Sequence, residues 1–284
     1  MALRFLAKHA VRLVLTVLIA GLLGAALVRI APAFGVSEQE LDPRLSREFV
    51  QGQRPEPVGI LRYYGQFLYG VAHGDFGESP SLQRPIGELL RERLPVSLEN
   101  LAFGAGAGIV LGFLCAMVAV VFRSPLARAV PVASSTVLLS LPSAALGLLF
   151  LLAGWPPAMA LTAVVFPRVY RYSAAVLARS ADASHVLAAR ARGVSPGRIL
   201  CVHVLPGAAP QLLAIVGMAI SLGFPALVPI EAVCDSPGVM QLALKAAMAR
   251  DLPLLVVLTM VASVVVLIGN AAADISSDVL RRES

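Results

Sequence analysis

The chain has 284 residues, 58% of them hydrophobic and 14% charged, with a mean hydropathy of +0.81. A soluble domain carries about 25% charged residues, so this balance excludes an ordinary soluble enzyme and indicates a polytopic membrane protein. The net charge of +6 is not that of a nucleic-acid surface, because residues 33–96 hold seven arginines against nine acids and the basic excess falls in the other loops, as the positive-inside rule requires.

In chain order, Arg4, Lys8 and Arg12 precede an apolar run from Leu13 to Val28. The sequence Arg29-Ile30-Ala31-Pro32 is a poor small-residue cleavage site, so residues 1–32 read as an N-terminus and first span rather than a removed signal peptide. The basic flank places the N-terminus on the cytoplasmic side. Residues 33–96 form the longest polar region and are expected outside. Tyr63, Tyr64, Phe67 and Tyr69 suit a membrane interface, and His73-Gly74-Asp75-Phe76-Gly77 is a turn signal. Ile86, Leu89, Leu90 and Leu94 recur at helical spacing, which predicts an amphipathic helix ended by Pro95. That helix reads either as interfacial or as a lid over a pathway.

The remaining region, 97–284, divides into five further spans: 98–122, 129–153, 157–178, 204–230 and 253–275. The second is a clear run of 23 uncharged residues between Glu99 and Arg123. The next 39 uncharged residues, from Arg128 to Arg168, suit two spans broken at Gly154-Trp155-Pro156-Pro157. The fourth span contains Arg168 and Arg171, so either it ends early or these arginines face protein interior or an aqueous cavity. An external loop is expected over 231–252. Six spans place both termini and the 179–203 loop inside, and Arg179, Arg190, Arg192 and Arg198 agree with that placement.

Cys115, Cys201 and Cys234 are scattered, as are His9, His73, His185 and His203. Neither set has metal-ligand spacing or suggests a disulfide, and Cys115, in an apolar run, reads as packing. The polar stretch from Ser184 to Pro210 contains Ser, Cys and His. His185 and His203 are 18 residues apart, with no acidic partner nearby except Asp182, so no nucleophile is given both a base and an orienting group. It reads as helix–turn–helix, with Ser184 as N-cap, Ala188 and Ala189 as a small flat surface, and Gly193 as the helix stop. Ser195 then caps a second helix that has Pro196 at its first position, and Pro206 and Pro210 mark the return to the membrane. On residue types alone, an ordinary basic cytoplasmic loop explains this stretch as well as a docking helix does.

The spacing Leu187-Ala188-Ala189-x₃-Gly193-x₉-His203-x-Leu205-Pro206 resembles the cytoplasmic E-A-A-x₃-G-x₉-I-x-L-P motif of ABC importer permeases. The chain is most similar to the dipeptide/oligopeptide/nickel branch, and to its B-type rather than C-type subunit. Gly74-Asp75-Phe76-Gly77, the block from Arg84 to Pro95, Ser236-Pro237-Gly238, Arg250-Asp251-Leu252-Pro253, and Asn270, Asp274 and Asp278 carry that likeness. The departures are Leu187 at the motif glutamate, Ala183 and Ser184 at positions usually acidic, His185 at the usual aromatic, and an external loop without its second glycine.

The resemblance implies an all-α membrane protein of the type I importer fold. It also implies a homologous C-type permease, two ATPase subunits and an external solute-binding protein as partners, with ATP and Mg²⁺ held by the ATPases and no cofactor on this chain. The sequence has no G-x-x-x-x-G-K-[ST] phosphate loop, so this subunit is expected to be non-catalytic. Ala188, Ala189, Arg190, Arg192, Gly193, Arg198, Leu205 and Pro206 would couple to the ATPase. Ser134, Ser135, Thr136, Ser140, Ser143, Arg168, Arg171 and Ser221 are candidate pathway residues, although small polar side chains also serve helix contacts. Peptides are the expected substrate, with nickel, glutathione or another small solute as alternatives. A secondary transporter would need paired intramembrane charges and repeats, which the chain does not display. A membrane enzyme lacks a catalytic cluster here, and an exporter would not explain the external 33–96 block.

Overall fold

The computed structural model describes residues 15, 18–19, 21–22, 65, 68–71, 73–122, 125–249 and 251–283, the last ten as backbone. Of the expected first span, residues 15, 18, 19, 21 and 22 are described, and all are helical. The basic flank Arg4, Lys8 and Arg12, the start of the 33–96 segment expected outside, the aromatic residues Tyr63, Tyr64 and Phe67, and the side chains of Asp274 and Asp278 lie outside the described residues.

The elements are a ribbon of β1 (Glu78–Ser79) and β2 (Arg84–Pro85), then α1 (Ile86–Phe122), α2 (Pro125–Ser140), α3 (Ser143–Leu152) and α4 (Pro157–Ala181). There follow α5 (Ser184–Ala191), α6 (Pro196–Ile199), a π-helical turn (Leu200–Val204), α7 (Leu205–Val233), α8 (Val239–Met248) and α9 (Leu252–Glu283). The described chain is therefore mostly helical, with one antiparallel ribbon following the turn expected at His73–Gly77.

The residues form two compact units, one of 1–94 with 242–264 and one of 95–241 with 265–284. In the first, Val256 packs with Leu22, Leu68 and Met260. Its polar centre is Asp251, which is buried. The Asp251 carboxylate accepts from the Leu254 N–H at 3.2 Å, capping the first turn of α9. It also accepts from the Ser81 hydroxyl at 2.6 Å and the Ser81 N–H at 3.1 Å, and from the Ser79 hydroxyl, so it ties the β-ribbon to the start of α9. Gly74 and Gly77 adopt φ of 81° and 76°, the left-handed values a glycine turn supplies. Asp251→Ala removes a helix cap and strands three donors. We expect a loss of about 2–4 kcal/mol, read as a lowered melting temperature of the detergent-solubilised protein, with Asp251→Asn losing less.

In the second unit, α4 is the central helix, and α2, α3 and α7 pack on it. Ala160, Leu161, Val165, Val169 and Leu177 of α4 are buried. The N-terminal half of α4 meets α1 through glycines spaced four apart. A Cβ on Gly104 would lie 2.6 Å from the Ala158 carbonyl oxygen, one on Gly108 2.9 Å from Val165, and one on Gly112 2.7 Å from Val169. Helices in a bilayer lack a hydrophobic force drawing them together, so backbone proximity of this kind supplies dispersion contacts instead. The Thr162 hydroxyl lies 3.1 Å from the Gly104 carbonyl, an interhelical hydrogen bond that this closeness permits.

Three expectations are corrected. Pro95 does not end a helix: α1 runs through it from Ile86 to Phe122. Proline forfeits one backbone hydrogen bond there, but the flanking apolar residues stay in one continuous span. The span expected over 129–153 is instead two helices, α2 and α3, meeting at 105° around Leu141-Pro142. Pro142 is extended (ψ 149°), and a residue before proline is driven out of the α region. The segment 231–252, expected as an external loop, contains an apolar helix, α8, with Val239, Met240, Leu242 and Ala246 buried.

Among the described residues, three helices are long and apolar enough to cross a membrane: α1, the continuous run Pro196–Val233, and Leu252–Ala273. The bent α2–α3 pair makes a fourth if counted as one span. Helix α4 is long enough at 25 residues, but Arg168 and Arg171 interrupt its apolar character.

Candidate functional site

The stretch between α4 and α7 folds as the predicted helix–turn–helix. Helix α5 ends in a two-bond glycine motif. The Gly193 N–H donates to the Arg190 carbonyl at 2.9 Å and the Val194 N–H to the Ala189 carbonyl at 3.3 Å, with Gly193 at φ 77°. This is the αL arrangement in which glycine escapes the Cβ penalty. Ser195 sits at the N-cap of α6 with Pro196 at its first position, as expected, but its side chain makes no cap bond. Ser184 is not a cap: it is the first residue of α5, and Ala183 holds the N-cap position without a side-chain bond.

Helix α5 has two faces. Val186 and Ala189 are buried inward, whereas Ser184, His185, Leu187, Ala188, Ala191, Arg192 and Gly193 are exposed. The flat small-residue surface is therefore Ala188, Ala191 and Gly193, and Ala189 serves packing. Arg192 and Arg198 are exposed. Arg190 is half-buried and lines a cleft of about 250 Å³ with Val120, Val121, Val194, Ile199 and Val204. The His185 ring Nε2 lies 3.4 Å from the His203 carbonyl, which links the two arms of the turn.

From α6 the chain continues helically into α7 through the π-turn Leu200–Val204, with Leu205 half-buried and Pro206 exposed at the start of α7. Pro206 has no N–H for an α-helical bond, and the wider turn before it accommodates that loss. Pro206 and Pro210 thus lie within the return helix rather than at a break.

The candidate pathway residues separate into three groups. Ser134, Ser135, Thr136 and Ser140 each donate to a carbonyl three or four residues back on α2, at 3.1, 2.9, 2.9 and 2.7 Å. Ser135 is buried, while Thr136 and Ser140 are exposed. Thr136 and Arg171 are brought together, the guanidinium Nη2 donating to Thr136 Oγ1 at 3.1 Å, and Arg168 Nη1 donates to the Val164 carbonyl at 2.7 Å. Ser221 belongs to a helix contact: its hydroxyl lies 2.8 Å from Asn270 Oδ1, beside Gly217, whose own Cβ position lies 2.8 Å from Ala273.

Glu231 is the residue the sequence concealed. It appeared only as the edge of a span, yet it is fully buried. Its carboxylate accepts from Ser97 Oγ at 2.7 Å and from the Met240 and Gln241 N–H groups at 3.1 and 3.2 Å. Ser97 Oγ in turn accepts from the Val239 N–H at 2.8 Å. Between them, Ser97 and Glu231 satisfy the free N–H groups of the first turn of α8, where a carboxylate also meets the positive end of the helix dipole. The loop before α8 is closed by Gln241 Nε2 donating to Asp235 Oδ1 at 2.7 Å. Gly238 leaves room for this carboxylate, since a Cβ there would overlap it and force it to move. Ser97 and Glu231 are 134 positions apart, so no local pattern joins them.

Comparison with known proteins now bears on this arrangement. The chain is 24% identical over 279 residues to the oligopeptide transport system permease protein AppB of Bacillus subtilis (strain 168), covering 83% of this chain and 84% of that one. It is 25% identical over 251 residues to the dipeptide transport system permease protein DppB of Lactococcus lactis subsp. cremoris (strain MG1363), covering 78% and 83%. A Brucella abortus (strain 2308) protein is 26% identical over 215 residues, 66% of this chain and 68% of its own. Residues 108–283, more than half the chain and including α5, the π-turn and the Glu231 loop, match the family described as binding-protein-dependent transport system inner membrane component. With apolar helices of spanning length and an exposed, glycine-capped helix between two of its long helices, the chain belongs to the family of binding-protein-dependent transport system inner membrane components.

Proposed function

We propose that this chain is a transmembrane subunit of an ATP-driven importer that translocates di- and oligopeptides delivered by an external solute-binding protein. The peptide assignment rests on the dipeptide and oligopeptide permeases to which the chain is similar over most of its length. The observation that carries the coupling role is α5: a short helix with an exposed small-residue face, ended at Gly193, inside the family-matched region.

In this reading the chain crosses the membrane six times in the type I importer arrangement, with both termini and α5 in the cytoplasm and residues 33–96 outside. It pairs with a homologous permease and two ATPase subunits, which bind ATP and Mg²⁺. Closure of the ATPases pushes on Ala188, Arg192, Gly193 and Arg198. The continuous run Pro196–Val233 then acts as a lever that carries this displacement into the membrane. Buried Ala189, and Arg190 in the cleft with Ile199 and Val204, seat α5 on that lever, whose next turn carries Leu205 and Pro206.

Gly193 tests the coupling. A Cβ there meets nothing within 4 Å, so a larger residue adds no clash within the chain itself. Gly193→Val is expected to leave membrane insertion intact while abolishing stimulation of ATP hydrolysis by loaded binding protein. Gly193→Asn, which tolerates φ near 77°, separates backbone strain from added bulk. Wild-type stimulation in Gly193→Val, or failure of the chain to co-purify with a P-loop ATPase, contradicts the reading.

A further inference from the structure

Arg168 and Arg171 are the twelfth and fifteenth residues of the 25-residue helix α4, three apart and therefore on one helix face at mid-length. A guanidinium there cannot be left to lipid. Neither forms an ion pair among the described residues, and the structure accounts for one donated bond each, to the Val164 carbonyl and to Thr136 Oγ1. A guanidinium has five N–H donors, so most of this capacity is unspent. The neighbouring hydroxyls add no negative charge, and those of Thr136 and Ser140 already spend their protons on the Val132 and Val137 carbonyls of α2. Arg171 and Thr136 are exposed and Arg168 is partly so. This patch offers hydrogen-bond donors and positive charge, and no carboxylate among the described residues pairs with it.

We propose that Arg168 and Arg171, with Thr136 steadying Arg171, form a transient subsite for the terminal carboxylate of a peptide passing the subunit. The proposal rests on the peptide reading above. A carrier of varied peptides can rely on only a few shared features, and a terminal carboxylate is one that every unmodified peptide brings whatever its side chains. A guanidinium recognises it by paired N–H···O bonds.

The test uses the complete transporter in proteoliposomes with saturating binding protein, comparing uptake of a labelled tripeptide with a free or an amidated C-terminus. Because the same binding protein is used throughout, its own preference cancels when variants are compared with wild type. The Arg168→Gln/Arg171→Gln double variant is expected to lower the free-acid to amide uptake ratio about tenfold or more, the scale of a lost charged hydrogen bond. The Arg168→Lys/Arg171→Lys variant should restore part of the ratio by keeping the charge. An unchanged ratio overturns the subsite, whether uptake of both peptides falls together or neither falls. Loss of the partner permease from the purified double variant also overturns it, since it would assign the arginines to a subunit carboxylate. If the wild-type transporter imports neither peptide, the peptide reading itself fails, and the subsite fails with it.

Discussion

Gly104→Leu should separate α1 from α4 and abolish transport. The Cβ of any residue at 104 would lie 2.6 Å from the Ala158 carbonyl oxygen and 2.7 Å from the Leu161 Cβ. One of these is a backbone atom, which cannot swing aside as a flexible side chain can. Overpacking a close contact costs about 1–3 kcal/mol and sometimes more, and a leucine here should reach the upper part of that range. The interhelical bond from Thr162 to the Gly104 carbonyl would lengthen with it. Because α4 leads into α5, the damage extends to the proposed coupling helix. Gly106 supplies the control: it lies two residues on along α1, and a Cβ there meets nothing within 4 Å. Gly106→Leu should insert, melt and transport like wild type, whereas Gly104→Leu should melt lower in detergent and show little uptake. Equal behaviour of the two variants would show that the spacing of the glycines has no packing role.

Glu231→Ala, at the end of α7, should be the most damaging single side-chain truncation at the junction with α8. It leaves the Ser97 hydroxyl and the Met240 and Gln241 N–H groups without their acceptor inside a buried site. Each unsatisfied buried group costs about 1–3 kcal/mol, so a loss of about 3 kcal/mol or more is expected, seen as early proteolysis near residues 235–238 and a lowered melting temperature. Gly238→Ala should resemble it, because the new methyl group occupies the space of the carboxylate. Glu231→Gln keeps the volume and one acceptor oxygen and should lose markedly less. Wild-type stability of Glu231→Ala would mean that water replaces the carboxylate and that the clamp is dispensable.

How far the chain could be read from residue types varies with the range of the interaction. The stop at Gly193 and the proline after Ser195 act within one or two turns, and both appear where local rules place them. Prolines were misleading because the same residue has two outcomes. Pro142 follows a residue driven out of the helix and opens a 105° bend, whereas Pro95, Pro131, Pro167, Pro210, Pro225 and Pro229 lie inside helices. Only the packing around each decides whether a missing N–H ends the helix. Long-range pairs could not be read at all: Asp251 stood out only within Arg250-Asp251-Leu252-Pro253, and its hold on Ser79 and Ser81 spans more than 165 residues. Among the pathway candidates, residue type alone did not separate Ser221, which serves the Asn270 contact, from Thr136, which meets Arg171.

Uptake by proteoliposomes containing this chain with the proposed partner permease and two ATPases tests the central claim most directly. Peptide accumulation should require both ATP and the external binding protein, and should vanish when either is omitted. Accumulation that proceeds without ATP, driven by an ion gradient, or that is indifferent to the binding protein, would contradict the account.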